Sequence, residues 1–232
     1  MRRPKPQPVR RWVTDHVSSP IPPIWHFLDL IKFVTSMRAI ALALLLATVA
    51  FAKGDFRAIF ELETEGGAES FSVLVHEDWA PIGAARFKEL VMESFYDDTR
   101  FFRVIPGFMA QFGLSGKVET NAKWNAKPIM DEPVKQSNKP GYITFAKTGA
   151  PNSRTTQLFI NFVDNARLDG MGFAPFGEVE GNGMDVMRRV HNCGEKPNQG
   201  QIKSSGNSYL DSSFPNLSKI VRVTIQPLGD EL

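Results

Sequence analysis

The stretch Phe56–Thr64 (FRAIFELET) alternates apolar and polar residues, and a segment with a period of two buries one face only as a β-strand. Glu65-Gly66-Gly67-Ala68 supplies a turn, and Ser70–Val75 (SFSVLV) alternates again, so the two runs pair as a hairpin. Further short strands are expected at Arg100–Ile105, Phe108–Leu114, Gly141–Lys147, Leu158–Asn161, Phe176–Glu180 and Ile220–Pro227. Helical spacing occurs in two places. Asp78-Trp79-Ala80-Pro81 ends a strand and opens a helix, in which Ile82, Ala85, Phe87, Leu90 and Val91 recur through Ser94. Gly183–Val190 fits a second helix. Many short strands with two helices predict a mainly β domain, an antiparallel barrel capped by helices.

Charge separates this domain from what precedes it. Residues 1–52 hold 7 Lys/Arg and 2 Asp/Glu, and the whole chain holds 27 and 25, which leaves 20 basic and 23 acidic residues in 53–232. The basic excess is therefore a targeting feature. No RNA- or DNA-reading motif occurs in the mixed-sign remainder, so no nucleic-acid partner is expected. Ile40–Ala52 (IALALLLATVAFA) is apolar and uninterrupted, yet shorter than the about 20 residues that span a bilayer. Arg38 precedes it, Ala50-Phe51-Ala52 offers small residues at the two positions a signal peptidase reads, and Lys53-Gly54-Asp55 resumes polar sequence. That is the layout of a secretory signal.

The basic, Pro-rich residues 1–36 leave three routes open: a start at Met37 with a compact signal, an organelle transit segment leading to a plastid lumen, or a retained membrane anchor. The first is adopted. It gives a leader over 1–52 and a mature domain over 53–232, in the ER lumen or secreted, with no stable membrane insertion after leader removal. Gly229-Asp230-Glu231-Leu232 shares its last three residues with ER-retention signals, with Gly where those carry Lys or His. Asn216-Leu217-Ser218 is the one acceptor for N-glycosylation, in a turn-rich stretch after Phe214-Pro215.

Cys193 is the only cysteine, so neither an intrachain disulfide nor a cysteine-built metal site is possible. His191, two residues away, suggests a Cys/His nucleophile. No third orienting group is in view, and the four histidines form no ligand pattern, so a structural role is expected and no metal or cofactor.

Phe101-Phe102-Arg103-Val104-Ile105-Pro106-Gly107-Phe108-Met109-Ala110-Gln111-Phe112-Gly113 resembles the cyclophilin segment F-x-R-[VI]-I-P-G-F-M-x-Q-x-G. Thr144-Phe145-Ala146 and the run from Pro151 to Asn161 (PNSRTTQLFIN) are a second match. Arg167-Leu168-Asp169-Gly170 with Phe176-Gly177-Glu178-Val179 is a third. They follow the family's order over about Phe56 to Pro227. The resemblance implies a closed eight-stranded antiparallel β-barrel capped by two α-helices, monomeric, acting as a peptidyl-prolyl cis/trans isomerase on proline-containing polypeptides.

Rotation about an Xaa-Pro bond faces a barrier of about 18–20 kcal/mol because amide resonance is lost. No bond forms or breaks, so the catalyst needs only an apolar slot for the ring and a fixed donor that favours the twisted amide. Arg103 is the expected donor, since a guanidinium stays charged and presents a rigid fork. Gln111 is expected to bond the substrate carbonyl or hold Arg103. The resemblance assigns Phe108, Met109, Phe159 and Leu168 to the pocket, and Ala146 and Lys147 to main-chain contact with the peptide. Arg167 stands where many members carry a pocket-rim Trp, and Phe173 where they carry His. Lys147–Pro151 is one residue longer, Gly113-Leu114-Ser115-Gly116 replaces the common G-G-D continuation, and Asn192–Leu217 is an insertion. These mark a divergent branch in which cyclosporin is expected to bind weakly. A non-catalytic module that only binds proline-containing segments is the rival function.

Overall fold

A computed structural model describes residues 54–228. The leader and its signal, Lys53 and the Gly229–Leu232 tail lie outside the described residues. Nine strands form one antiparallel sheet in the order β3-β9-β1-β2-β8-β6-β7-β5-β4. The expected hairpin is β1 (Phe56–Thr64) with β2 (Gly67–Val75), paired Thr64 to Gly67 across the turn. The alternation is realised directly: Phe56, Ala58, Phe60 and Leu62 are buried, and the residues between them face outward. β9 (Lys219–Pro227) lies on the other side of β1.

The expected strand Arg100–Ile105 is split, and the split is what makes nine strands rather than eight. β3 (Thr99–Arg100) pairs with β9, and β4 (Arg103–Ile105) pairs with β5 (Met109–Phe112). Between them, Phe101 donates its N–H to Ser218 and Phe102 donates its own to Gln111, so the chain crosses from one end of the sheet to the other. Phe101 sits in the main core and Phe102 in a second one, both essentially inaccessible. Two adjacent aromatics buried on opposite sides leave no solvent face for a regular strand. The barrel is consequently not closed by a ladder: β3 and β4 are its two ends.

β6 (Tyr142–Phe145), β7 (Leu158–Asn161) and β8 (Pro175–Val179) complete the sheet. Phenylalanine fills its interior: Phe60 stacks on Phe71 at 4.7 Å and meets Phe112 edge-on at 5.8 Å, and Phe87 packs against Phe176 at 5.3 Å. Offset and edge-on contacts of this kind favour aromatic cores beyond their area alone. Helix α1 (Pro81–Met92) covers one opening with Phe87 and Leu90 inward. Its first free N–H groups, on Ile82 and Gly83, are taken by the Glu132 carboxylate at 2.9 Å each. Arg154, 1 % exposed, neutralises that carboxylate at 2.7 Å.

Two helices are expected and four are found among the described residues. The predicted pair are α1 and α3 (Gly183–Met187). α2 (Val118–Asn125) and α4 (Gln199–Ser213) are additional, and a 3₁₀ turn spans Ala166–Met171. α4 lies in the insertion. It buries Ile202 and Leu210 with Phe102, Leu114 and Leu217 as a small core of its own. It breaks at Gly206, whose φ of 60° and contact with the Gly116 backbone leave no room for a side chain.

Candidate functional site

β4, β5, β7 and the 3₁₀ turn converge on one cavity of about 420 Å³. Of the expected site residues, Arg103, Phe108, Met109, Gln111, Ala146, Lys147, Phe159, Leu168 and Phe173 all line it. Its apolar side consists of Met109, Phe159 and Leu168, with Ile105, Phe108, Ala146 and Phe173 packed against them. Phe173 meets Phe159 edge-on, 5.8 Å between ring centres.

Local sequence explains why these side chains arrive together. In the β4–β5 hairpin Arg103 stands opposite Gln111, and in the β5–β7 pairing Gln111 stands opposite Phe159. Cross-strand partners share a sheet face, so donor, amide and apolar floor form one row. Leu168 lies within the 3₁₀ turn and Phe173 just after it, and Asp169 ties the turn down: its carboxylate accepts from Ser137 Oγ at 2.5 Å and from Asn138 N and Nδ2 at 2.9 and 2.7 Å. Asn138 also donates to the Phe173 carbonyl. Burial alone would raise the Asp169 carboxyl, but the Ser137 and Asn138 bonds outweigh it and hold it below the ordinary carboxylate value.

The polar side is a chain of side-chain bonds. Arg103 Nη1 donates to Gln111 Oε1 at 3.3 Å, and Gln111 Nε2 donates to Gln157 Oε1 at 2.9 Å. Sequence reasoning missed the fourth member: Glu195, in the insertion, takes Arg103 Nε and Nη2 at 2.6 Å each. That pairing holds the Glu195 carboxyl below its ordinary value. No local motif marks Glu195, which lies 92 residues from Arg103 and is joined to it only when the insertion folds back. Gln199 and Lys203 of α4 and Asn125 of α2 also reach the cavity.

Two expected residues behave differently from the rest. Arg167 does not line the cavity; it is exposed and its guanidinium carbon lies 4.7 Å from the Phe108 ring centre, with that of Arg103 at 5.6 Å from the same ring. Lys147 points its ammonium at Asp131, 3.0 Å away, and the Ala146 N–H is already given to the Gln157 carbonyl.

Asn216 lies elsewhere, exposed, after α4. Cys193 and His191 do not form a pair: His191 faces Glu65 at 3.0 Å and the Cys193 sulfur faces the Phe101 carbonyl at 3.8 Å. Burial raises the thiol above its ordinary value, which makes it a poor nucleophile. Asp55, His76 and Asp78 bring possible ligand atoms within 4.8 Å of one another, outside the cavity, with His76 already engaged by Asp55 and Glu178. Among the described residues no helix is long and apolar enough to cross a membrane.

The family model for cyclophilin type peptidyl-prolyl cis-trans isomerases matches residues 59–207. A peptidyl-prolyl cis-trans isomerase of Acinetobacter baylyi is 38 % identical over 139 residues, covering 57 % of this chain and 71 % of its own. Peptidyl-prolyl cis-trans isomerase B of Escherichia coli is 38 % identical over 127 residues, covering 49 % and 73 %. A solved cyclophilin type isomerase of Cryptosporidium parvum superposes with a TM-score of 0.53 at 19 % identity, over 75 % of this chain and 99 % of that one.

Proposed function

The chain belongs to the cyclophilin-type peptidyl-prolyl cis-trans isomerases, and on that premise we propose that Arg103 and Gln111 carry its catalysis, on proline-containing clients folding in the secretory pathway. The observation that supports the site most is the cross-strand row of Arg103, Gln111 and Phe159, which sets a fixed guanidinium beside an apolar recess. The proline ring enters the recess over Phe159, Met109 and Leu168. Its amide then lies near the Arg103 fork. As the C–N bond twists, the nitrogen gains a lone pair, and a guanidinium N–H stabilises that pair more than the planar amide. Each factor of ten in rate needs about 1.4 kcal/mol of such preference. Arg103 is half-buried, so its charge acts through less water than a surface residue's would.

The test is exchange spectroscopy on an Xaa-Pro peptide without added metal. The parent accelerates exchange, and Arg103→Ala loses about a hundredfold in kcat/KM with its fold unchanged. An Arg103→Ala protein as fast as the parent overturns the assignment, and a parent that binds the peptide without accelerating it supports the rival binding module. The secretory placement rests on the Ile40–Ala52 run and the exposed Asn216 sequon. Enzymatic deglycosylation of the protein from its cells is expected to shift its mobility, and Asn216→Gln to abolish the shift. A protein with no shift, found by microscopy outside the ER and export route, overturns that placement.

A further inference from the structure

We infer that Glu195 is a positioning residue for isomerisation: it holds the Arg103 fork so that its remaining N–H groups face the prolyl amide. The inference rests on Arg103 being the donor proposed above.

A guanidinium has five N–H groups. Glu195 takes the one on Nε and one on Nη2, both at 2.6 Å, and Gln111 takes one on Nη1 at 3.3 Å. Two remain for a substrate. The Gln111 bond is long and single, and alone it leaves a side chain with several rotatable bonds free to swing. Two parallel charge-assisted bonds along one edge of the fork fix both its position and its plane. Arg103 lines the cavity and Glu195 does not, so the carboxylate grips the fork from outside and leaves the space for the proline open.

The placement of Glu195 is built into the backbone. Val104 and Gly194 exchange N–H···O bonds of 3.2 and 2.9 Å, an isolated bridge between the residue after Arg103 and the residue before Glu195. Phe102, the residue before Arg103, is packed in the core shared with α4. The insertion is thus fastened on both sides of the donor. The Glu195 side chain itself is 67 % exposed, and neither the bridge nor the small core needs it. What it does contact is the proposed donor, and a preorganised donor favours the transition state where a mobile one does not.

The full chain serves for the experiment. Glu195→Ala is expected to lower kcat about tenfold with KM changed less than about twofold, because the apolar recess is untouched. Glu195→Gln, with one acceptor at the same reach, is expected to fall between parent and Ala. Adding Glu195→Ala to Arg103→Ala is expected to cost nothing further, as befits a residue that acts through another. In proton–nitrogen spectra the Arg103 Nε–H signal is expected to be protected from solvent exchange in the parent and lost in Glu195→Ala. A Glu195→Ala protein at parental rate or faster, beside an inactive Arg103→Ala, overturns the inference and leaves the donor standing. A fully active Arg103→Ala removes the donor and the inference together.

Discussion

Met109, Phe159 and Leu168, on one side of the cleft, are at most 6 % exposed, whereas Arg103 on the other is gripped by a carboxylate whose side chain is 67 % exposed. The apolar side is continuous with the sheet: two of its three members lie on β5 and β7 and the third is pinned through Asp169. The polar side is assembled from a hairpin and an insertion, and its bonds are between side chains. One side is therefore part of what makes the chain fold, and the other can be altered with little cost to folding. The difference predicts which variants disturb stability and which disturb rate alone.

Phe159→Ala tests the comparison most severely. The ring is 5 % exposed and packed edge-on against Phe173. Removing it enlarges an existing cavity, and the expected loss is about 3 kcal/mol of unfolding free energy, at the lower end for buried Phe→Ala. KM should rise as well, since the slot loses its floor. Denaturant unfolding measures the first and exchange kinetics the second. A loss below about 1 kcal/mol would mean that this side of the cleft is not core, and the distinction between the two sides would fall.

Arg167→Trp sharpens it at a smaller scale. Arg167 lies over Phe108 and brings a charge to the rim of the apolar side. A charge is costly to desolvate beneath an apolar macrocycle, whereas indole offers a flat surface and one N–H donor. Weak inhibition of the parent by cyclosporin is expected, improved about tenfold by Arg167→Trp, a gain of about 1.4 kcal/mol. Tight inhibition of the parent, equal to that of the variant, would show that the rim charge does not govern binding.

The sequence spoke clearly about the strands and the side chains of the long motif, and faintly about what the insertion brings to them. Phe56–Thr64 and Leu158–Asn161 became strands with the expected bounds, the first because a period of two leaves few other ways to bury one face, the second as a short run buried on both faces. Arg103, Gln111 and the pocket residues were legible through a long motif with mixed chemistry. The split at Phe101–Phe102 was not, since nothing local shows that both rings are covered from opposite sides. α4 escaped because Gln199–Ser213 is polar and interrupted by Gly206, and its apolar anchors Ile202 and Leu210 are far apart. Glu195 escaped because a long-range ion pair leaves no periodic trace. Docking against distant residues, which no window of sequence contains, decided all three.

Asp169→Asn asks whether the apolar side owes its order to a polar bracket. The carboxylate accepts three bonds from Ser137 and Asn138, and Asn138 in turn holds the Phe173 carbonyl and receives the Thr144 hydroxyl at 3.0 Å. The bracket fixes the two residues that close the recess, Leu168 and Phe173. An amide at position 169 keeps one acceptor oxygen for Asn138 and turns its N–H₂ toward the Ser137 hydroxyl, which accepts as well as donates, so the bracket loses the charge on its acceptor rather than a set number of bonds. Partial exposure of the carboxylate keeps the stability cost small, about 1 kcal/mol at neutral pH. The pH dependence follows from the lowered Asp169 value. A carboxyl lowered in the folded state stabilises the protein above its unfolded value, and that contribution is lost as pH falls through the folded one. The gap in melting temperature between parent and Asp169→Asn should therefore be present at pH 7 and narrow as pH drops below the ordinary carboxylate range. Thermal melts across that range measure it. A gap that stays constant down to pH 2 would mean that the ionised carboxylate contributes nothing through its charge, and the bracket would then act through hydrogen-bond geometry alone.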